Sequence, residues 1–448
     1  MFPHTPIVVV NRRRARWGHE SPLMHVVFFN RSFYPDTAAT GQILTDLCED
    51  LIRVHGCRVT VISGMPLLPA TSLSSGGAPP SRETYRSIAI IRARGSRFAK
   101  RRFIGRAMNY VTYFLSACWA GLRVDRPDVV VALTDPPIIG LAGWLASRRF
   151  GVPLVMAYQD LFPEVAVLLE DFHSDAINGM LQRVNQFLCR RATRIVALGE
   201  TMRARLIDNK GAPPERTLVI PSGADTRAIV PGPRQNGFST AHGFDDAFVV
   251  MHSGNLGLSQ SLETVVDAAA LLRDVPDIRI VFQGDGVKKD DLQSRARRLE
   301  LSNVTFLPFQ PKERLGESFA AADAFIVSMQ AGLAGYIVPS KLYGILAAGR
   351  PYVAAVEDTC EVAAITRTSE CGLIAQPGNA RDLADRILDL YRDRDLGRRL
   401  GEKARAVGLS FDRSLQVAKY MRLFEAVVPP SPGAASIASP VAGIQEKS

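Results

Sequence analysis

Short β-branched runs alternate with longer helical patterns along most of this chain, and that alternation limits its fold more than any other feature. Strand candidates fall at 24–30, 58–62, 87–92, 128–132, 153–157, 193–198 and 217–220. A second series follows at 247–252, 278–282, 303–307, 323–327, 351–355 and 372–375. The segments between are long enough for crossover helices, so the pattern predicts parallel sheets covered by helices on both faces. There are too many strands for one compact sheet, which implies two doubly wound α/β domains. The division falls in 222–246, where Gly223, Pro231, Gly232, Pro233, Gly237, Ser239 and Gly243 read as a linker. The first domain then covers 24–222 and the second begins at 247. Residues 1–23 form a basic extension with Arg12, Arg13, Arg14 and Arg16, and Met24 is a candidate true start. The Pro-, Ala- and Ser-rich segment 428–448 reads as a disordered tail. Two such domains facing each other leave a cleft at the carboxyl ends of their strands, where ligands of this architecture bind.

Composition narrows the class. A chain with 47% hydrophobic and 22% charged residues has the balance of a folded soluble protein. Mean hydropathy is only +0.05, and no uncharged apolar run approaches the ~20 residues of a spanning helix. The net charge of +10 favours an anionic partner. The six cysteines form no C-x-x-C pair and fit a reducing cytoplasm. The seven histidines lack H-x-x-H spacing, so no metal site is expected. No P-loop or nucleophile elbow occurs.

The chemistry-bearing candidates follow strands. Ser253, Gly254 and Asn255 stand between a strand and a helix, where backbone amides can approach a phosphate, or form a plain tight turn. Gly284-Asp285-Gly286 reads as a turn at the cleft end, with Asp285 either functional or simply part of a turn-forming D-G pair. In Gly332–Pro351, Gly335 allows close approach, and Ser340 and Lys341 open a helix. A cation in a first helical turn opposes the dipole, so Lys341 implies a nearby anion, either a diphosphate or a carboxylate. Thr40 and Gly41 open an early helix as a phosphate contact or an ordinary cap. Asp160 and Glu164 are candidates for acceptor binding or base work, or a helix-start pair exposed to water. Nine basic residues from Arg82 to Arg106 face one acid, Glu83, and the uncharged stretch 107–122 follows. Segment 98–122 thus reads as a membrane-surface contact or as a core helix behind a solvated loop. No nucleic-acid module surrounds it.

The order of Phe33–Gln42, Asp135-Pro136-Pro137, Asp160–Glu164, Ile220–Asp225, Ser253–Gly257, Gly284-Asp285-Gly286 and Pro339–Pro351 resembles the family 4 glycosyltransferases. The likeness is to the bacterial type that builds exopolysaccharide, colanic-acid and O-antigen units. It implies a GT-B fold of two Rossmann-like domains, the second (247–410) holding the donor and a last helix (411–427) crossing back to the first. It implies a hexosyltransferase that moves a sugar from a nucleotide diphosphate with retention. No cofactor or metal is implied, since the sugar nucleotide is a substrate. Phe309 and Gln310 match the place where the family holds the base. Donor binding would therefore draw on Thr40, Gly41, Ser253, Gly254, Asn255, Gly284, Phe309, Gln310, Gly335, Ser340 and Lys341. Catalysis would draw on Lys341 with Asp160 or Glu164.

This chain departs from the family in that its paired glutamates would fall at Tyr336 and Gly344. Its diphosphate-clamping Arg and Lys would fall near Asn255 and Gln260. Lys341 is the available replacement for the cation, and Glu361 for the ribose-binding glutamate. The resulting expectation is a cytoplasmic enzyme at the inner membrane face acting on a polyprenyl-diphosphate-linked glycan. The alternatives are a sugar-nucleotide epimerase of the same fold, or a non-catalytic scaffold of a polysaccharide assembly complex.

Overall fold

The computed structural model describes residues 24–36, 38–66, 81–96, 103–169 and 174–429. The basic extension, most of the tail and the basic stretch 97–102 lie outside them. Fourteen strands are present among these residues. The first eight are β1 (His25–Phe29), β2 (Arg58–Ser63), β3 (Arg82–Tyr85), β4 (Ile88–Arg92), β5 (Val129–Ala132), β6 (Leu154–Ala157), β7 (Arg194–Ala197) and β8 (Thr217–Val219). They form one sheet in the order β3-β4-β2-β1-β5-β6-β7-β8. All its pairs are parallel except β3 with β4. The sequence pattern misses β3 because its alternating exposed residues carry little apolar signal (Arg82, Glu83).

The second sheet contains β9 (Phe248–Ser253), β10 (Ile278–Gln283), β11 (Val304–Leu307), β12 (Ala324–Ser328), β13 (Tyr352–Ala355) and β14 (Leu373–Ala375). Its order is β11-β10-β9-β12-β13-β14, parallel throughout. The central strands read as continuous apolar runs, such as Val129–Ala132, because helices cover both faces and every residue is buried. Each sheet therefore has two cores. Val27, Ala132 and Met156 serve one face of the first sheet, and Phe28, Val131 and Val155 the other.

Strand order reverses between β1 and β5 in the first sheet and between β9 and β12 in the second. Loops leave such a point in opposite directions and open a crevice. The first crevice is bounded by the loops after β1 and β5, tied where Arg31 Nε meets Asp135 Oδ1 at 3.0 Å. The second is bounded by the loops after β9 and β12, which carry Gly254 and Lys341.

The domain crossing is shorter than the composition suggests. Phe238 and Phe244 are buried in the second domain's core, so residues 237–246 belong to that domain and not to a linker. The crossing runs at 221–226 beside the return at 411–413. Ala224 N donates to Phe411 O (3.1 Å), and Arg413 N to Ala224 O (2.8 Å). A side chain at Gly223 would meet Phe411 O at 2.5 Å, and its φ of +69° also requires glycine. Helix Arg413–Val427 then lies on the first domain, burying Val417, Leu423 and Phe424 against the core that holds Val26 and Leu44. Arg413 holds this return through Asp50 (2.8 Å) and Asp46 (3.1 Å).

Candidate active site

Two glycine turns are stacked at the second crevice. Gly254 N donates to Gln283 O (2.9 Å), and Gly284 N to Leu307 O (2.9 Å), so both turns continue the ladder of the sheet. A Cβ on Gly284 would stand 1.9 Å from Gly254 O, and one on Gly286 2.5 Å from Leu256 O. Gly284 therefore acts mainly by letting the Gly254 turn lie flat against it. Ser253 is nearly buried and accepts from Gln283 Nε2 (3.2 Å), while Asn255 is exposed at the turn's tip.

Helix Lys341–Ala348 starts beside that turn, with Ser340 at its N-cap position. Lys341 is mostly withdrawn from solvent. Its Nζ donates to Gln260 Oε1 (3.1 Å), lies 2.9 Å from His252 Nε2, and comes within 3.7 Å of where a Gly254 Cβ would be. No carboxylate pairs with it among the described residues. Burial lowers the Lys341 ammonium to about 7. Burial first, then the lysine charge, keeps the His252 imidazole neutral well below its usual range. Lys341 thus brings its amine to Gln260 from the helix that follows β12.

Phe309 follows β11 at the same edge, 40% exposed, with Gln310 beside it. Thr40 and Gly41 open helix Ala39–His55 of the first domain. Gly41 is needed for packing, since a Cβ there would meet the Ser32 and Phe33 backbone at 3.2–3.3 Å. Thr40 stays partly exposed.

Several expected site residues serve other purposes. Glu164 accepts from Lys210 Nζ at 2.7 Å through both carboxylate oxygens, and Lys210 is almost wholly buried. The pair neutralises a buried cation, so Glu164 is not poised as a base. Glu164→Gln is expected to cost about 2 kcal/mol of stability by removing that charge compensation. Turnover of the folded protein should be kept. Thermal melts set beside kcat check this, and a lower kcat at unchanged melting temperature would return Glu164 to the chemistry.

Gly335 does not face the glycine turns. With φ +79°, it packs on the first domain, where a Cβ would meet Arg205 Cγ at 2.8 Å and Thr201 O at 2.9 Å. Its neighbour Tyr336 accepts from Leu161 N through its carbonyl (2.9 Å), and Arg205 lies 4.9 Å over its ring. Ile337 forms a bridge with Asp160. Glu361 is likewise turned away from the glycine turns. Its carboxylate accepts from Thr201 N and Oγ1 (both 3.4 Å) at the start of helix Glu200–Lys210. Loop 332–338 and Glu361 therefore fasten the two domains to each other. Gly344 faces the interior, where a Cβ would touch Phe319 Cε2 at 3.1 Å, so a glutamate there would require Phe319 to move.

Asp160 lies where the two domains meet, partly buried and bridged to Ile337. Burial, reinforced by Asp135, raises its carboxyl to about 6. Composition and spacing gave no hint of His252, because its role depends on a strand end meeting a helix start 89 residues later. The same holds for Arg205, whose partner is on the other domain.

Two family models match this chain. The glycosyl transferase 4-like domain matches residues 38–223, and the glycosyl transferases group 1 matches residues 238–407. The chain belongs to the GT-B glycosyltransferases. A protein described as glycosyltransferase WbjE of Pseudomonas aeruginosa is 27% identical over 300 residues, covering 66% of this glycosyltransferase and 74% of WbjE. A protein described as a colanic acid biosynthesis glycosyl transferase, WcaI of Escherichia coli, is 37% identical over 125 residues, which are 28% of this chain and 30% of WcaI. Among solved structures, Anabaena HepE in complex with UDP and glucose superposes with a TM-score of 0.68 at 19% identity, covering 90% of this chain and 99% of HepE. WaaG, a glycosyltransferase involved in lipopolysaccharide biosynthesis, superposes at 0.66 and 16% identity, covering 90% of this chain and all of WaaG. These two likenesses establish the two-domain fold.

Proposed function

We propose that this glycosyltransferase moves a hexosyl unit, with retention, from a nucleotide diphosphate to a polyprenyl-diphosphate-linked glycan in cell-surface polysaccharide assembly. The observation that carries the reading is Lys341, a basic group with no carboxylate partner among the described residues, held beside the Gly254 turn. Negative charge grows on the departing diphosphate in the transition state, and a fixed cation with backbone amides stabilises it there. Ser340 and the amides after Ser253 complete the cradle, and Phe309 with Gln310 borders the base. Asp160, where the two domains meet, orients the acceptor hydroxyl. Relatives such as WcaI, named for colanic acid biosynthesis, support the polysaccharide setting.

The test is incubation of the purified protein with UDP-, GDP- and CMP-sugars and a lipid-linked acceptor. Transfer with the anomeric configuration kept is the expected result. Absence of transfer from every donor, with no thermal shift by UDP, GDP or CMP, would overturn the reading. Nucleotide affinity without turnover would favour the scaffold alternative, which the Tyr336 and Gly344 replacements support. A changed sugar released without acceptor would favour the epimerase.

The same reading puts the enzyme at the inner membrane face through helix Phe103–Gly121. No helix among the described residues is long and apolar enough to cross a membrane. On this helix Met108, Val111, Leu115 and Trp119 recur at helical spacing on one face, 43–61% exposed, while Tyr113 and Ala117 bury the other. An apolar stripe next to the sequence's basic run suits a surface-lying helix on anionic lipid. The double variant Leu115→Glu, Trp119→Glu is expected to lower partitioning onto phosphatidylglycerol vesicles at least tenfold, about 1.4 kcal/mol or more, by exchanging apolar burial for charge. Sedimentation with vesicles reads it, and equal binding by the variant would remove the helix from the contact.

A further inference from the structure

His252 is the next-to-last residue of β9 and has no exposed surface. Its Nε2 faces Lys341 Nζ at 2.9 Å and the Asn255 carbonyl oxygen at 3.5 Å, while its buried Nδ1 makes no well-formed hydrogen bond, with only the Ile326 backbone near it. The two protonation states of the lysine make different demands on this ring. An ammonium can only donate, so Nε2 must accept with its lone pair turned toward the Asn255 carbonyl, and the ring proton moves to Nδ1, where it is buried with only the poorly aligned Ile326 backbone to receive it. A neutral amine can accept from an Nε2–H, which leaves Nδ1 with only a lone pair and no orphan donor. Without an anion nearby, the neutral pair is therefore the better fit.

The surrounding charges do not alter this balance. On the helix after the turn, Glu263 is paired with Lys288 at 2.7 Å. On the β10 loop, Asp285 faces Lys289 at 3.6 Å. Glu357 accepts from the Gly332 and Ala334 amides, and Glu361 from Thr201. Gln260 is neutral and accepts from Lys341. Two phosphoryl groups over Gly254 would supply the missing negative charge and offset the poorly paired Nδ1–H.

We propose that His252 is a positioning residue that holds Lys341 as a reserve amine, and that diphosphate binding at the Gly254 turn draws one proton from solvent onto this pair. The proposal deepens the nucleotide-diphosphate reading above and rests on it. No bond other than N–H forms or breaks. The lysine titrating near 7 fits the scheme, as does an imidazole that stays neutral. The sign follows: affinity for a diphosphate is level below about pH 7 and falls with each unit above it, as the proton must be supplied.

Calorimetric titration with UDP and with GDP at pH 8.0, in HEPES and in Tris, measures the proton uptake. The nucleotide's own phosphates are already ionised at that pH. The wild-type protein is expected to take up roughly 0.9 proton per nucleotide, the fraction for a group titrating one unit lower. Lys341→Met should take up none. His252→Leu loses the acceptor that supports the ammonium, so its affinity should fall about tenfold at pH 8.0 and begin falling at lower pH. His252→Gln, whose Oε1 can accept, should restore the wild-type profile. Circular dichroism identifies any variant that fails to fold, and the Lys341→Met comparison then carries the test alone. Binding without proton exchange, or identical pH profiles for His252→Leu and wild type, would overturn the proposal and leave the nucleotide reading standing. Absence of binding by either nucleotide to the wild-type protein would overturn both.

Discussion

Lys341→Ala is expected to cut turnover about a hundred- to a thousandfold, the usual effect of removing one preorganised donor to a developing anion. The fold should survive the change. The ammonium sits in a first helical turn, where the dipole opposes it, and burial penalises it without a carboxylate in return. Losing it is therefore expected to cost little stability, relief of that penalty offsetting the lost contacts to Gln260 and His252. A buried basic group at a crevice, with no carboxylate partner among the described residues, is better explained by a ligand than by the fold. Steady-state kcat beside a thermal melt reads both effects. An unchanged kcat in the folded variant would remove Lys341 from the site.

The second large effect is expected from Gly284→Ala. Its φ of +155° disfavours a side chain, and the new Cβ would stand 1.9 Å from Gly254 O. The obstacle is backbone at the end of a central strand and cannot swing aside like a flexible side chain. Strain and overpacking together are expected to cost about 4 kcal/mol. Relief requires the Gly254 turn to lift, so nucleotide affinity should fall along with stability. Urea denaturation gives the first and calorimetry the second. A variant as stable as wild type with unaltered affinity would show that the two turns do not depend on each other.

The parallel-sheet architecture was legible because strands buried on both faces must be apolar throughout, and their flanking helices carry a different period. The loops after Phe248–Ser253 and after Ala324–Ser328 were also legible as site-bearing, since glycines and a helix start follow each strand. The composition of 222–246 misled, because proline and glycine punctuate turns inside a domain as well as between domains. Phe238 and Phe244, two core anchors in that stretch, were the contrary signal. Glu164 shows another limit. A carboxylate after a strand has the same appearance in sequence whether it faces a cleft or a buried Lys210 46 positions away.

Sequence alone thus determined the two sheets, the glycine turns and the presence of a basic residue at a helix start, because each depends on neighbours within a few positions. Only the tertiary structure decided the partners. It turned Gly335, Tyr336 and Glu361 into fastenings between domains, gave Glu164 to Lys210, and set His252 and Gln260 around Lys341. Those contacts join segments far apart in the chain. Their energies come from burial and charge in a shared interior, which no local pattern records.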